Sequence, residues 1–421
     1  MRPLSPLSDW VSLEHSVAEI LTQQELHGWY FDEQEARELE STLRREMEDV
    51  TQILRRQHPF VAGALFTPKR DNRTLGYIEG AEFTRLKELN PTSRDHIAWI
   101  LQTHYGWTPK SISLKSNKPV IDEIILTDIG SDIALNFLRC LELKKQLGMI
   151  SEGVNAWLKL CTTSKRIHHH CSVATNTFRC AHRKPNLGQT PSDERFRKLF
   201  LPSPGLRMVG ADLSGVELRM LAHYLGRYDG GRYAEVLLNG DIHQTNADKI
   251  GITRRQVKTV TYAFLYGAGD EKIGLSVDKQ LSRAKAKVKG KEVRAAFIKA
   301  IPGLAELLSA VKKRSLTGSI LAIDGRKLLV ESQHKALNYL IQGSSAVLAK
   351  RWLFIAHEHL PKSAHQLAFV HDELQYECEE KDVDDLKFLL ELSAVQAGEY
   401  YNLRVNIAAE SKAGMNWAEV H

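Results

Sequence analysis

The chain has 421 residues, 43% of them hydrophobic, more than one core usually organises, so two or three subdomains are expected. Its 57 basic and 51 acidic residues leave a formal charge of +6, a mild excess that fits a nucleic-acid partner better than a cationic one. Five cysteines without a C-x-x-C pair argue against a disulfide scaffold, and no run approaches the roughly 18 apolar residues of a membrane span. The start, MRPLSPLSDWVSLEHS, lacks the apolar stretch of a signal peptide, so a cytoplasmic protein is expected. HDEL at 371–374 resembles a retention signal but is internal, where that signal is not read.

In chain order, FDEQEARELESTLRREMEDVTQILRRQ, from Phe31 to Gln57, has no Gly or Pro and repeats apolar residues at helical spacing, which predicts a long amphipathic helix. A stretch rich in Gly, Pro and mixed charge follows from His58 to Pro91. Ser93 then stands as the N-cap of a helix reaching Gln102, and another helix is expected from Ile133 to Leu147. This first third reads as an α-helical arm. After Ser151 the texture turns to short β-like runs. LRMVGA at 206–211 and LAFV at 367–370 look like buried strands, running up to Asp212 and Asp372 respectively. A mostly helical block is expected between them, from about Gly215 to Asn338. Within it, Lys279 to Lys299 holds eight Lys or Arg against the single acid Glu292. Such a run either attracts phosphates or is a solvated, mobile segment.

Three segments carry the chemistry. GADLSGVELRMLAHYL delivers Asp212 at a strand end and turns into a helix near Glu217. LAFVHDELQYECEE sets His371 and Asp372 between two β-like runs, as at a hairpin tip. Two such carboxylates can clamp two Mg²⁺ ions about 3.5 to 4 Å apart for an in-line displacement at phosphorus. Either aspartate alone would be read as a turn or cap residue. The third segment, TRRQVKTVTYAFLYGAG, changes that weighting. There Arg254, Lys258, Tyr262 and Tyr266 recur every fourth residue, one stripe about 18 Å long on a helix. Its basic end suits phosphates and its aromatic end suits a sugar and a base, with Gly267 and Gly269 closing the helix.

In this order the segments resemble motifs A, B and C of the family A DNA polymerases, relatives of bacterial DNA polymerase I, and most of all their phage replicative branch. FLYGAGDEKIG (264–274), NGDIHQTNADKI (239–250), DGRK (324–327), GMNWAEVH (414–421), NPTSRDHI (90–97) and SEGVNAWL (151–158) extend the likeness over nearly the whole chain. The resemblance implies an α+β, right-hand polymerase fold. Its parts would be an N-terminal palm segment at 1–32, a helical thumb at 33–150, antiparallel-sheet palm at 151–213, helical fingers at 214–337 and palm again at 338–421. The implied activity is primer-dependent, template-directed DNA synthesis with two Mg²⁺, on primer-template DNA and deoxynucleoside triphosphates.

By the same resemblance Asp212 and Asp372 hold the metals with the carbonyl of Leu213. Glu217 excludes a ribose 2′-hydroxyl, and Arg254 and Lys258 hold the triphosphate, Lys258 protonating the leaving pyrophosphate. His243 meets the β-phosphate, Tyr262 binds the nucleotide where a tyrosine in place of phenylalanine is associated with ready acceptance of dideoxynucleotides, and Tyr266 stacks beside the templating base. Arg179 and Gln342 read the minor groove, His371 touches the primer terminus, and Glu373 is an auxiliary acid.

Departures are visible too. Relatives read Thr-Gly-Arg where this chain has Thr177, Phe178 and Arg179. The run His168 to Cys171 is set aside as a metal site because contiguous histidines cannot all converge on one ion. No long thumb insertion for a processivity factor and no acid-rich 3′-to-5′ exonuclease motifs are seen, so proofreading is expected to be absent or supplied by a separate exonuclease chain, beside replisome proteins such as a helicase-primase. The setting would be the host cytoplasm if the chain is phage-encoded. The competing readings are a single-subunit RNA polymerase, which Glu217 opposes, and a non-catalytic DNA-binding remnant, which the intact acids and stripe oppose.

Overall fold

The computed structural model describes residues 9–173, 175–279 and 281–421. Part of the N-terminal stretch read above, residues 1–8, and Gln280 of the basic run lie outside these. The chain divides into two compact units, residues 34–159 and the remainder. It enters the larger unit with α1 (Asp9–His27) and β1 (Trp29–Phe31). The apolar residues Leu13, Val17, Ile20 and Leu21 recur at helical spacing and bury one face of α1.

The smaller unit begins in α2 (Glu33–Gln57), the long charged helix expected from its spacing. The stretch expected to be irregular instead contains a hairpin, β2 (Phe60–Phe66) with β3 (Phe83–Glu88), so this third of the chain is not wholly helical. Tyr77 packs on Phe66 and Phe83 with ring centres 5.0 Å from each, and the Asp71 and Asn72 side chains accept from the Glu79 and Leu75 amides. These contacts form within the connection between the two strands and follow no helical or strand period. α3 (Arg94–Tyr105) starts at Ser93, whose side chain accepts from the His96 amide, as expected of the cap. α4 (Glu123–Ile129) and α5 (Asp132–Leu147) complete the unit around Leu54, Ile97, Phe137 and Cys140.

Back in the larger unit come the short strands β4 (Arg166–Ile167), β5 (His170–Ser172), β6 (Ala181–Arg183) and β7 (Phe200–Leu201). β8 (Arg207–Leu213) then starts a helical succession. It comprises α6 (Val216–Asp229), α7 (Arg232–Asn239), α8 (Ile242–Ile250), α9 (Arg254–Leu265), α10 (Asp270–Val277), α11 (Arg283–Ala300) and α12 (Leu304–Ser315). The hairpin β9 (Ser319–Leu321) and β10 (Lys327–Leu329) leads to α13 (Ala336–His357). β11 (His365–Val370), β12 (Glu373–Cys378), α14 (Val383–Tyr400), β13 (Ala409–Gly414) and α15 (Trp417–Val420) close the chain. The main sheet runs β11-β12-β8-β13 and is antiparallel throughout.

The basic run is not a loose segment. Most of it is α11, which crosses α10 so closely that a Cβ on Gly290 would lie 1.7 Å from the Asp270 carbonyl oxygen. α13 is buried nearly all round, 17 of its 22 residues, which marks it as the central helix of the core. Its buried Lys350 ammonium is neutralised by the Glu14 carboxylate of α1 at 2.7 and 2.9 Å, a pair that would be costly to break on one side only. No described helix is long and apolar enough to cross a membrane.

Candidate active site

The two acids reach the site on neighbouring strands. β8 runs up to Asp212 and pairs with β12 so that Asp212 stands opposite Glu373, while the Leu213 amide donates to the Asp372 carbonyl at 3.0 Å. His371 and Asp372 are the two residues between β11 and β12, the hairpin tip expected from sequence. His371 has φ +63°, the left-handed sign that so tight a connection requires, at a cost of about 1 kcal/mol for a side chain without glycine's freedom.

Crowding by protein and then the Glu373 carboxylate push the Asp212 carboxyl up to about 6. Burial and then Asp212 and Glu217 push Asp372 up to about 7, with Arg179 opposing. The Asp212 side chain keeps solvent access, so the crowding of like charge is the part of its shift that the geometry supports best. Such a cluster lowers its energy by taking a proton or a cation. Glu373 differs. Burial alone would raise it, yet contacts from His421, Trp417 and Gln375 hold it below the usual carboxylate range. The Trp417 indole N–H donates at 2.6 Å and His421 Nδ1 lies at 3.1 Å, so this carboxylate is already engaged.

Above the acids, Glu217 in the first turn of α6 accepts from Arg179 Nη2 at 2.8 Å and from the Tyr266 hydroxyl at 3.1 Å. The stripe is present along α9, which opens with a capping box between Thr253 and Gln256; Tyr266 is its C-cap and Gly267, φ +71°, follows. Tyr262 and Tyr266 are near-parallel with centroids 6.4 Å apart, and the His243 ring lies 6.4 Å from Tyr262. Burial first, then the Glu217 and Asp372 charges, raise the Tyr262 phenol, which places it in the field of the acids. Lys258 is exposed on the same helix. His243 is buried in the first turn of α8, and that burial, helped by Arg254 and Lys258, lowers its pKa.

Asp241 escaped the sequence reading. It caps α8 through the His243 and Gln244 amides, 3.0 Å each, and holds Arg254 Nε at 2.6 Å. Its place before a helix after Asn239-Gly240 was the available signal. Gln342 sits half-buried on α13, and His371 packs edge-on against His182 at 5.9 Å. The hard oxygen donors of Asp212 and Asp372, their raised pKa values and the adjacent Leu213 backbone fit a divalent cation.

A carboxylate at a strand end and another at the neighbouring hairpin tip, close to a basic and aromatic helix, define a nucleotidyl-transfer enzyme acting on nucleoside triphosphates. The chain belongs to DNA polymerase family A, whose family model matches residues 72–419. Relatives include DNA-directed DNA polymerases of Enterobacteria phage T3 and Escherichia phage T7, each 31% identical over 98% of this chain and 70% of the relative. Among solved structures, the POL domain of Pol1 from M. smegmatis, in complex with DNA primer-template and dNTP, superposes with a TM-score of 0.76. That match has 20% identity and covers 97% of this chain and 70% of the other, so it bears on the fold alone. The chain is a DNA polymerase of a family that depends on a divalent metal.

Proposed function

We propose that this chain extends a DNA primer on a template by deoxynucleotidyl transfer, with Asp212, Asp372 and the Leu213 carbonyl holding two Mg²⁺ ions. The observation that carries the reading is the pair of carboxylates with raised pKa values, Asp212 at the end of β8 and Asp372 at the β11–β12 tip, in whose field Tyr262 of the α9 stripe lies. Bound Mg²⁺ supplies activation of the primer 3′-hydroxyl and neutralisation of the pyrophosphate charge. The protein's own groups do the rest. Arg254 and Lys258 bind the triphosphate at the positive end of α9, and Lys258 gives its proton to the leaving pyrophosphate. His243 meets the β-phosphate and Tyr262 the sugar. Glu217, fixed by Arg179 and Tyr266, fills the space of a 2′-hydroxyl. Tyr266 stacks beside the templating base, Arg179 and Gln342 read minor-groove acceptors, and His371 meets the primer terminus. Glu373, opposite Asp212 on the next strand and held by Trp417 and His421, is an auxiliary acid.

Primer extension on the purified chain tests this. Deoxynucleotides should be incorporated with kcat/KM at least about 100-fold above ribonucleotides, about 2.7 kcal/mol of discrimination. Equal use of both would return the reading to an RNA polymerase, and inactivity with DNA binding would return it to a remnant.

A further inference from the structure

The His168 to Cys171 run holds a second cluster that the polymerase reaction does not use. Alternate members of the run, which leads from β4 into β5, turn to opposite sides. His170 turns to the Glu25 carboxylate at 2.8 Å and His168 to the Glu25 carbonyl at 2.7 Å. His169 and Cys171, two residues apart, face the other way. There Cys171 is the cross-strand partner of His182 on β6. The sequence objection to contiguous histidines therefore does not apply, because alternate members of the run converge and the third donor comes from the next strand.

His169, Cys171 and His182 are all buried, and one ligating atom from each lies within 4.8 Å of the others. Cys171 Sγ is 3.2 Å from His182 Nδ1. A tetrahedral zinc ion, with bonds of about 2.0 Å to nitrogen and about 2.3 Å to sulfur, sets its donors about 3.5 Å apart, so small side-chain movements suffice. The Gln24 amide fills the fourth direction, its Nε2 3.0 Å from His169 Nε2 and 3.6 Å from Cys171 Sγ. Its oxygen accepts from Gln366 at 2.8 Å, and the Tyr376 hydroxyl reaches the Gln366 oxygen at 3.4 Å. Turning both amides over keeps them bonded to each other and presents the Gln24 oxygen to the cluster.

We propose that His169, Cys171 and His182, with Gln24 as fourth donor, form a buried structural Zn²⁺ site at the base of the β5–β6 hairpin, separate from the catalytic acids. Imidazole and thiolate donors select zinc over the Mg²⁺ of an all-oxygen site. Each ion bound displaces the Cys171 thiol proton, so one proton is released to solvent. The site braces what the catalytic centre uses: the connection between β5 and β6 carries Arg179, and His182 packs on His371.

The test is titration of the chelator-treated full-length protein with Co²⁺ as an optical probe. The expected result is one equivalent with a thiolate-to-cobalt charge-transfer band and tetrahedral ligand-field bands, displaced by Zn²⁺ with the release of colour. The catalytic acids offer only oxygen and cannot give that band. It should vanish in Cys171→Ser, weaken at least tenfold in affinity in His182→Gln, and persist in Cys161→Ser. X-ray absorption on the zinc-loaded parent, which needs no variant to fold, should show one sulfur among nitrogen and oxygen neighbours. Absence of the band in the parent, its persistence in Cys171→Ser, its loss in Cys161→Ser, or a sulfur-free zinc shell would each overturn the proposal.

Discussion

Replacing Glu217 separates the bulk of the proposed sugar gate from its charge. The carboxylate is almost enclosed, 12% exposed, and accepts from Arg179 at 2.8 Å and from Tyr266 at 3.1 Å. Glu217→Gln keeps the shape but turns the Arg179 bond from fully to partly charge-assisted, a loss of about 1 kcal/mol. The kcat/KM for deoxynucleotides should therefore fall about fivefold, while discrimination against ribonucleotides stays within about threefold of the parent. Glu217→Ala removes the bulk and opens the space for a 2′-hydroxyl. Discrimination should narrow from about 100-fold to about tenfold, a change of about 1.4 kcal/mol. Single-nucleotide primer extension with matched deoxy- and ribonucleotides measures both ratios. If the Gln variant lost as much discrimination as the Ala variant, charge and not volume would select the sugar, and the reasoning would fail.

Other consequences are open to direct measurement. Asp212→Ala and Asp372→Ala should each lower extension at least ~10³-fold, about 4 kcal/mol, with primer-template affinity by fluorescence anisotropy retained; activity near the parent's would remove that acid from the metal-holding role. Gly290→Ala places a methyl 1.7 Å from the Asp270 oxygen and should cost at least about 2 kcal/mol by urea denaturation, because backbone must move; an unchanged midpoint would contradict the close crossing of α10 and α11. Burial, then Arg404 and Arg227, hold the His223 imidazole down to about 4. The unfolded chain takes its proton first, near pH 6.5, so stability present above that pH is lost as pH falls toward 4, at no more than about 1.4 kcal/mol per unit. His223→Gln should flatten that acid limb by up to one proton, and an identical slope would refute it.

The parts of the site legible in the sequence are those where chemistry and local period coincide. Asp212 and Asp372 end apolar runs that became β8 and the β11–β12 hairpin, and the fourfold spacing from Arg254 to Tyr266 needed only a helix to become a stripe. What stayed hidden depends on residues distant along the chain. Nothing near Lys350 signals that Glu14, 336 positions away, neutralises it. The β2–β3 hairpin has mostly exposed strands, so it lacks the alternation that betrays a half-buried sheet. The engagement of Glu373 by Trp417 and His421 arises only once the last residues lie against β8 and β13. The basic run from Lys279 to Lys299 left a solvated segment open as a reading for a related reason: Gly274 and Gly290 are unremarkable in sequence until two helices cross on them.

The chain leaves the larger unit after β1 and returns to it just before β4, and these two strands are hydrogen-bonded neighbours, Trp29 opposite Ile167 and Tyr30 opposite Arg166. An antiparallel pair inside the larger unit thus ties the two ends of that excursion, and the register of β1 on β4 brings together residues 138 positions apart in sequence.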